Sequence, residues 1–494
     1  MATPQRASKG VFGLLEECAE SAGDSLFLVD SVTRLTYADA LDRSRRLAGW
    51  LRLRGVSRGD RVVIMLNNRA EIALAVFATA MLGAVFVVVN SKLKAKGLQK
   101  ILQQVSAKVC IADATTMQLF VPPFAFAGVL ISDKRDVAPG WTSWDEAMTF
   151  SGETRIEYPG IDVDAACIVF TSGSTSDPRG VTLSHDNIRF VVAAIQERLG
   201  YRPDDIIGCF LPFAFDYGLY QVFLAAQVGA ALYIGTPEDV GPRLPAIIRQ
   251  AAITVLPGVP TVYAALIALG RRQKLQLPAV RAITNTGERL PLPYIEELRT
   301  MIPGLQVFPM YGLTECKRVS ILLPSEFERK PESVGRALPG TEVYAVDADG
   351  VRVPTKETGQ LVVRGRHVAL GYWRAAEETA HRFRKRAPEA AVELFTGDTG
   401  FVDDEGFIFF AARNDDLLKH RGTRVSPLEI EVEACAISGV VEAAVVKREA
   451  DDTLHLFVTI SDPSVTSQTI LNHLNQNLEP AKVPDVVRVM PVLP

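Results

Sequence analysis

The chain has 494 residues, 48% of them hydrophobic, which is ample for a large core and too long for one ordinary domain. A net charge of −4, from 53 basic and 57 acidic residues, argues against a dedicated nucleic-acid binder but leaves a small anionic ligand open. Six scattered cysteines without a CxxC pair read as reduced thiols of a cytoplasmic protein, and six histidines without HExxH or a Cys/His cluster give no zinc site.

The N-terminus has no apolar stretch long enough for a signal peptide. Arg61–Leu66 reads as a strand. The uncharged run 72–90 touches the threshold for a membrane span, but Gly83 divides it into an Ala-rich helix, Ile72–Leu82, and a buried strand, Val85–Val89, so no membrane span is expected. Further strands are expected at Ala107–Ala112, Ala165–Phe170, Ala231–Ile234, Thr254–Leu256 and Val280–Thr284, with helices at Asp186–Leu199 and Leu244–Ala251. This alternation predicts an α/β protein with parallel sheets covered by helices. After about residue 340 the strands shorten and Asp347–Gly350 and Asp403–Gly406 read as hairpin turns, so an antiparallel β-rich region follows. A charged joint then leads to a compact C-terminal lobe starting near Asp415, in which Val440–Pro494 reads as hairpin, strand, helix.

Three stretches carry candidate chemistry. FTSGSTSDPRG (170–180) is expected to run from a strand to a helix beginning near His185–Asn187. Gly173 and Gly180 permit tight turns, and the hydroxyls of Thr171, Ser172, Ser174 and Thr175 with Arg179 suit a phosphate. It is not a Walker A loop, and a solvated Ser/Gly loop reads as well from composition. In MYGLTECKRV (310–319) an aromatic, a glycine, a threonine and a glutamate could stack a base, contact a phosphate and hold a magnesium ion. In LFTGDTGFVDDEGF (394–407) Asp398 could accept from two ribose hydroxyls, or close a plain turn.

Taken in order with Arg-x-Asp-Asp-x-x-Lys-x-x-Gly-x-Arg (413–424), these motifs resemble the adenylate-forming superfamily of acyl-CoA synthetases, nonribosomal-peptide adenylation domains and luciferases. The resemblance covers nearly the whole chain. It implies a large N-terminal domain (1–412) of parallel-sheet α/β subdomains plus a β-barrel-like subdomain (about 340–412). A hinge (413–416) and a small mobile α+β C-terminal lid (417–494) would follow. It also implies site roles. Thr171–Gly180, with Ser172, Gly173, Ser174, Thr175 and Arg179, would close over the β- and γ-phosphates of ATP. Tyr311 and Gly312 would meet adenine, in a pocket lined by Gly287 and Glu288. Thr314 would touch the α-phosphate and Glu315 would hold Mg²⁺. Asp398 would bind the ribose with Arg413 beside it, Asp415 would be the hinge, and Gly422 would let a pantetheine arm pass. The implied reaction joins a carboxylate to the α-phosphorus of ATP, releases pyrophosphate, and passes the acyl group to the thiol of CoA or of a carrier protein's phosphopantetheine. Ser184–His185 has no hydrolytic role in it.

The chain departs from the family pattern at Ser176 for glycine, Arg179 for lysine and Ala412 for glycine. Arginine keeps the charge and adds a fork suited to phosphate. The sequence ends at VRVMPVLP, where the family continues into a Gly-Lys whose lysine serves adenylation. The lid is therefore expected to be incomplete, and the chain to adenylate slowly yet still process a preformed acyl-adenylate.

LPFAFDYGLY (211–220) bears on the acid. Fatty- and aryl-acid synthetases usually carry histidine where Phe215 stands, whereas amino-acid adenylation domains carry Phe-Asp. Asp216 would then pair with a substrate ammonium; alternatively it caps a helix starting at Tyr217. By the same matching Tyr217, Tyr220, Ile283, Asn285, Met310, Arg318 and Val319 would complete the pocket. Arg318 would read a second acidic or polar group, or pair with Asp216 and cancel it, and Lys317 leaves open which base points inward. The leading reading is a ligase for a small amino or hydroxy acid. An ordinary acyl-CoA synthetase and a nucleotide-binding protein with impaired turnover are the alternatives.

Overall fold

The computed structural model describes residues 9–120, 127–131, 140–152, 156–171, 178–272, 275–387, 390–413, 418–420, 423–425, 427–448, 453–478 and 482–493. Two large sheets with parallel centres form the N-terminal part. In the eight-stranded sheet, Val85–Val88, Arg61–Met65, Val109–Asp113 and Ala127–Ile131 run parallel. Ala165–Thr171 extends it beside Val85–Val88, and Arg179–Ser184 and Gly371–Tyr372 close that edge in antiparallel fashion. In the nine-stranded sheet, Ala231–Ile234, Ile206–Cys209, Val255–Gly258, Ala282–Asn285 and Gln306–Tyr311 run parallel. These strands read as near-continuous apolar runs because helices cover both of their faces.

The run 72–90 is the helix Ala70–Met81 and the strand Val85–Val88; the helix, Phe86 and Val88 are buried in the largest core cluster, and Val85 and Val87 in a second core on the other face of the sheet. Its lack of charge is that of a helix packed on all sides. Each large aliphatic or aromatic side chain that it buries contributes about 1.5–3 kcal/mol. Thr79 returns its hydroxyl to the Ala75 carbonyl, 2.7 Å away, so no polar group is stranded there. Among the described residues no helix is long and apolar enough to cross a membrane.

The phosphate-type loop departs from expectation in its surroundings. A strand, Arg179–Ser184, stands between the loop and the helix His185–Leu199, and Thr171 pairs with Arg179 across a hairpin. Gly180 is therefore a strand residue rather than a turn residue. A Cβ there would lie 2.8 Å from Ile168 Cγ2, so close packing explains it. Residues Ser172, Gly173, Ser174 and Thr175 lie outside the described residues.

The β-rich region is a five-stranded antiparallel sheet of Thr341–Val346, Gly359–Gly365, Glu393–Val402, Phe383–Arg384 and Ile408–Arg413. Beyond it, a small lobe has its own core, built on Ile430, Leu454, Leu456, Val458, Ile470 and Leu474. Its order is hairpin, helix, strand rather than hairpin, strand, helix. Val486–Val489 pairs parallel with Thr453–Ile460, and a parallel neighbour needs the crossover that Ser467–Asn477 supplies. Asp415 and Gly422 lie outside the described residues.

Candidate active site

The carboxyl ends of the nine-stranded sheet, the edge of the β-rich sheet and the Gly371–Tyr372 strand meet around the YGLTE segment. Tyr311 ends its strand, and the chain then turns through Gly312–Thr314 to Glu315. The turn is tight: a Cβ at Gly312 would stand 2.2 Å from the Lys317 carbonyl oxygen. Tyr311 donates its hydroxyl to Asp398 Oδ2 at 2.6 Å, so two motifs 87 residues apart share one buried hydrogen bond. Burial, and then the Asp398 carboxylate, push the Tyr311 hydroxyl well above its ordinary range, so it stays a donor. Asp398 is held by its own backbone N–H, which donates to Thr396 Oγ1 at 3.0 Å. Across the sheet Asp398 registers with Arg413.

Glu315 is buried, and its Oε1 accepts from Tyr372 Oη at 2.6 Å and from Arg382 Nη1 at 2.9 Å. The Arg179 guanidinium lies 6.0 Å over the Tyr372 ring, which brings the loop's arginine to the same place. Thr314 is half-buried beside them, and Gly287 and Glu288 are exposed where the Ala282–Asn285 strand ends.

A small cavity of about 10 Å³, room for about one water molecule, opens beside this cluster. Of the residues expected in the pocket, Asp216, Tyr217, Tyr220, Met310 and Arg318 line it; Ile195, Leu199, Gln221, Leu224, Thr284 and Lys317 complete it. Ile283, Asn285 and Val319 do not line it. Strand alternation explains the first pair: Ile283 and Asn285 share one face of Ala282–Asn285, and Ile283 joins the core cluster behind it. Thr284 faces the pocket and accepts from the Tyr217 hydroxyl through its carbonyl. Val319 is fully buried in the main core.

Asp216 is the first residue of the helix Asp216–Val228 and follows the cap position, which Phe215 occupies. Its Oδ1 accepts from Tyr217 N at 2.9 Å, and Lys317 Nζ donates to Oδ2 at 3.4 Å. Lys317, not Arg318, is therefore its partner. Arg318 Nη1 donates to Thr286 Oγ1, and the guanidinium lies 5.2 Å over the Tyr217 ring. Among the described residues its Nε has no partner, nor does the Tyr220 hydroxyl. Burial pushes the Arg318 guanidinium below its ordinary range. The two bases are consecutive, and extended chain would send them to opposite sides. Lys317 has φ 64°, a left-handed value that turns both inward. Lys317 is what a matching of positions missed; its neighbourhood to Arg318 was the available signal.

Residues 15–373 match the family model described as AMP-binding enzyme. The chain belongs to the AMP-binding enzyme family. It is an adenylate-forming ligase that activates carboxylic acids, and its relatives include both CoA ligases and carrier-protein ligases. It is 29% identical to 4-coumarate–CoA ligase 4 of Arabidopsis thaliana, over 94% of this chain and 85% of that protein. It is also 29% identical to the L-proline–[L-prolyl-carrier protein] ligase of Streptomyces coelicolor, over 83% and 79%. The crystal structure of VinN matches with 33% identity and a TM-score of 0.73, over 82% of this chain and all of VinN. VinN in complex with L-aspartate matches with 30% identity and a TM-score of 0.71, over 81% and 98%. The AMP-binding enzyme family thus accounts for both the α/β architecture and the order of the motifs.

Proposed function

We propose that this ligase activates a small amino dicarboxylic acid of the aspartate type, forming its acyl-adenylate and then a thioester on CoA or on a carrier protein's phosphopantetheine. The observation that carries this reading is the placement of Asp216, Lys317 and Arg318 in one small buried cavity. Asp216 offers an anion for an ammonium group. The Arg318 guanidinium has donors to spare and, among the described residues, no carboxylate partner. A buried cation of this kind calls for an anion. The cavity's charged groups sum to plus one, and an amino dicarboxylate carries minus one. VinN, seen with L-aspartate, supports the same class.

In the first step a carboxylate oxygen of the acid bonds to the α-phosphorus of ATP, and the bond to pyrophosphate breaks. In the second a thiolate bonds to the acyl carbon and AMP leaves. Two anions must meet in the first step, so the chain's own work is positioning and neutralisation. In our reading Arg179 and Thr171 steady the β- and γ-phosphates with the loop between them, Thr314 meets the α-phosphate, and Tyr311 and Asp398 hold the nucleoside. Glu315 fits magnesium: it is a hard oxygen ligand with one oxygen still open, and that ion typically takes one or two carboxylates plus phosphate oxygens. When bound, it neutralises phosphate charge. The lobe 417–494 would turn about 413–416 between the two steps.

The test is hydroxylamine trapping of the adenylate from a matched panel: L-aspartate, succinate, which lacks the amine, and alanine, which lacks the second carboxylate. Aspartate should lead both, and Asp216→Asn should erase its advantage over succinate. Equal rates across the panel would remove the proposal.

A further inference from the structure

The sequence assigned no role to Tyr372 or Arg382, yet both end on the Glu315 carboxylate. Tyr372 belongs to the short strand that pairs with Arg179–Ser184, and Arg382 ends the helix Ala376–Arg382. The two are locked together: Tyr372 N donates to Thr379 Oγ1 at 2.9 Å, and that hydroxyl donates to the Ala375 carbonyl at 2.7 Å. Arg382 Nη1 reaches Glu315 Oε1 at 2.9 Å and Tyr372 Oη at 3.3 Å, while Nη2 donates to the Thr396 carbonyl at 2.9 Å. Thr396 opens the Thr-Gly-Asp segment that carries Asp398, which is part of the strand Glu393–Val402 and not the turn that the sequence also allowed. The approach is close enough that a Cβ at Gly397, whose φ is 77°, would lie 2.6 Å from Nη2.

One guanidinium fork therefore ties Glu315 to the strand that carries Asp398, and both donors converge on Oε1 while Oε2 takes neither. We propose that Arg382 and Tyr372 are positioning residues that fix the Glu315 carboxylate, with Oε2 presented to magnesium, at a set distance from the strand that carries Asp398. This rests on the reading of Glu315 as the metal ligand. Partners that orient a ligand in this way typically change metal affinity by about 10- to 100-fold when removed.

The experiment measures the magnesium concentration that half-saturates the ATP-induced rise in melting temperature. It compares wild type, Arg382→Gln, Arg382→Lys, Tyr372→Phe and Glu315→Gln. Arg382→Gln and Tyr372→Phe should raise that concentration by about tenfold or more, with Arg382→Lys between them and wild type because it keeps the charge but loses the fork. A merely structural role would lower the melting temperature of the free protein without moving the half-saturation point. If Glu315→Gln shifts that point and the Arg382 and Tyr372 variants leave it unchanged or lower it, the proposal is overturned. If Glu315→Gln also leaves it unchanged, the metal reading falls first and the proposal with it. Tyr372→Phe removes one hydroxyl, so it answers the question even if Arg382→Gln fails to fold.

Discussion

Replacing Arg318 by methionine should stabilise the free protein while damaging its selectivity. The guanidinium is buried, with its Nε unpartnered and one bond to Thr286. An unsatisfied buried donor costs about 1–3 kcal/mol, and the stacking on Tyr217 returns about 0.5–2 kcal/mol. Methionine keeps the unbranched stem and its packing. The Thr286 bond returns a further contribution of about 1.5–3 kcal/mol, while holding an unpaired charge out of water costs several kcal/mol. The balance favours the variant by on the order of 1 kcal/mol, a rise of roughly 1–2 °C in melting temperature for a chain of this size. With substrate the sign reverses. A charge-assisted hydrogen bond to the acid's second carboxylate is worth about 1.5–3 kcal/mol, so kcat/KM for L-aspartate should fall by roughly 10- to 150-fold. For alanine it should barely change. Thermal melts without substrate and pyrophosphate exchange with both acids measure the two halves. A lower melting temperature in the free variant, or an unchanged preference for the diacid, refutes the reasoning.

Tyr311→Phe removes the hydroxyl that Asp398 accepts at 2.6 Å, at a cost of about 1.5–3 kcal/mol; calorimetry with AMP should show weaker binding by roughly tenfold or more. Asp205→Ala leaves Arg281 without its bidentate partner and Thr254 with only the longer contact to the Ile206 carbonyl, so the denaturant midpoint should fall by the equivalent of about 3–5 kcal/mol with acid preference unchanged. His367 is fully buried with neither ring nitrogen partnered, and burial pushes it down to about 4. The unfolded chain takes up its proton near 6.5, so this contribution is whole above that pH and is lost as pH falls toward 4, by roughly 3 kcal/mol in all. His367→Leu should remove about half of the histidine-linked fall in denaturant midpoint between pH 6.5 and 4, leaving the comparable share of His185, which burial also lowers to about 4; an unaltered slope contradicts the assignment.

Most of the core was legible along the chain. Runs such as Arg61–Leu66 and Ala231–Ile234 are apolar over the length of a buried strand, and that pattern depends on local composition alone. The strand Arg179–Ser184 was not legible, because a hairpin around a polar loop is fixed by the partner strand rather than by periodicity. The lobe's order failed at its last two elements for the same reason: Val486–Val489 is a strand because Thr453–Ile460 lies beside it.

The site divides along the same line. The sequence by itself determined the chemistry on offer through a resemblance: a hydroxyl-rich loop, a glutamate and two aspartates stand in the order of the adenylate-forming superfamily, and that resemblance implied a nucleotide and an activated carboxylate. Only the tertiary structure decided which charges share a cavity. Lys317 and Arg318 both turn inward through one left-handed residue, and Arg382 meets Glu315 from a helix 67 residues away. Side-chain direction depends on backbone dihedrals and on neighbours remote in the chain, neither of which a linear pattern contains.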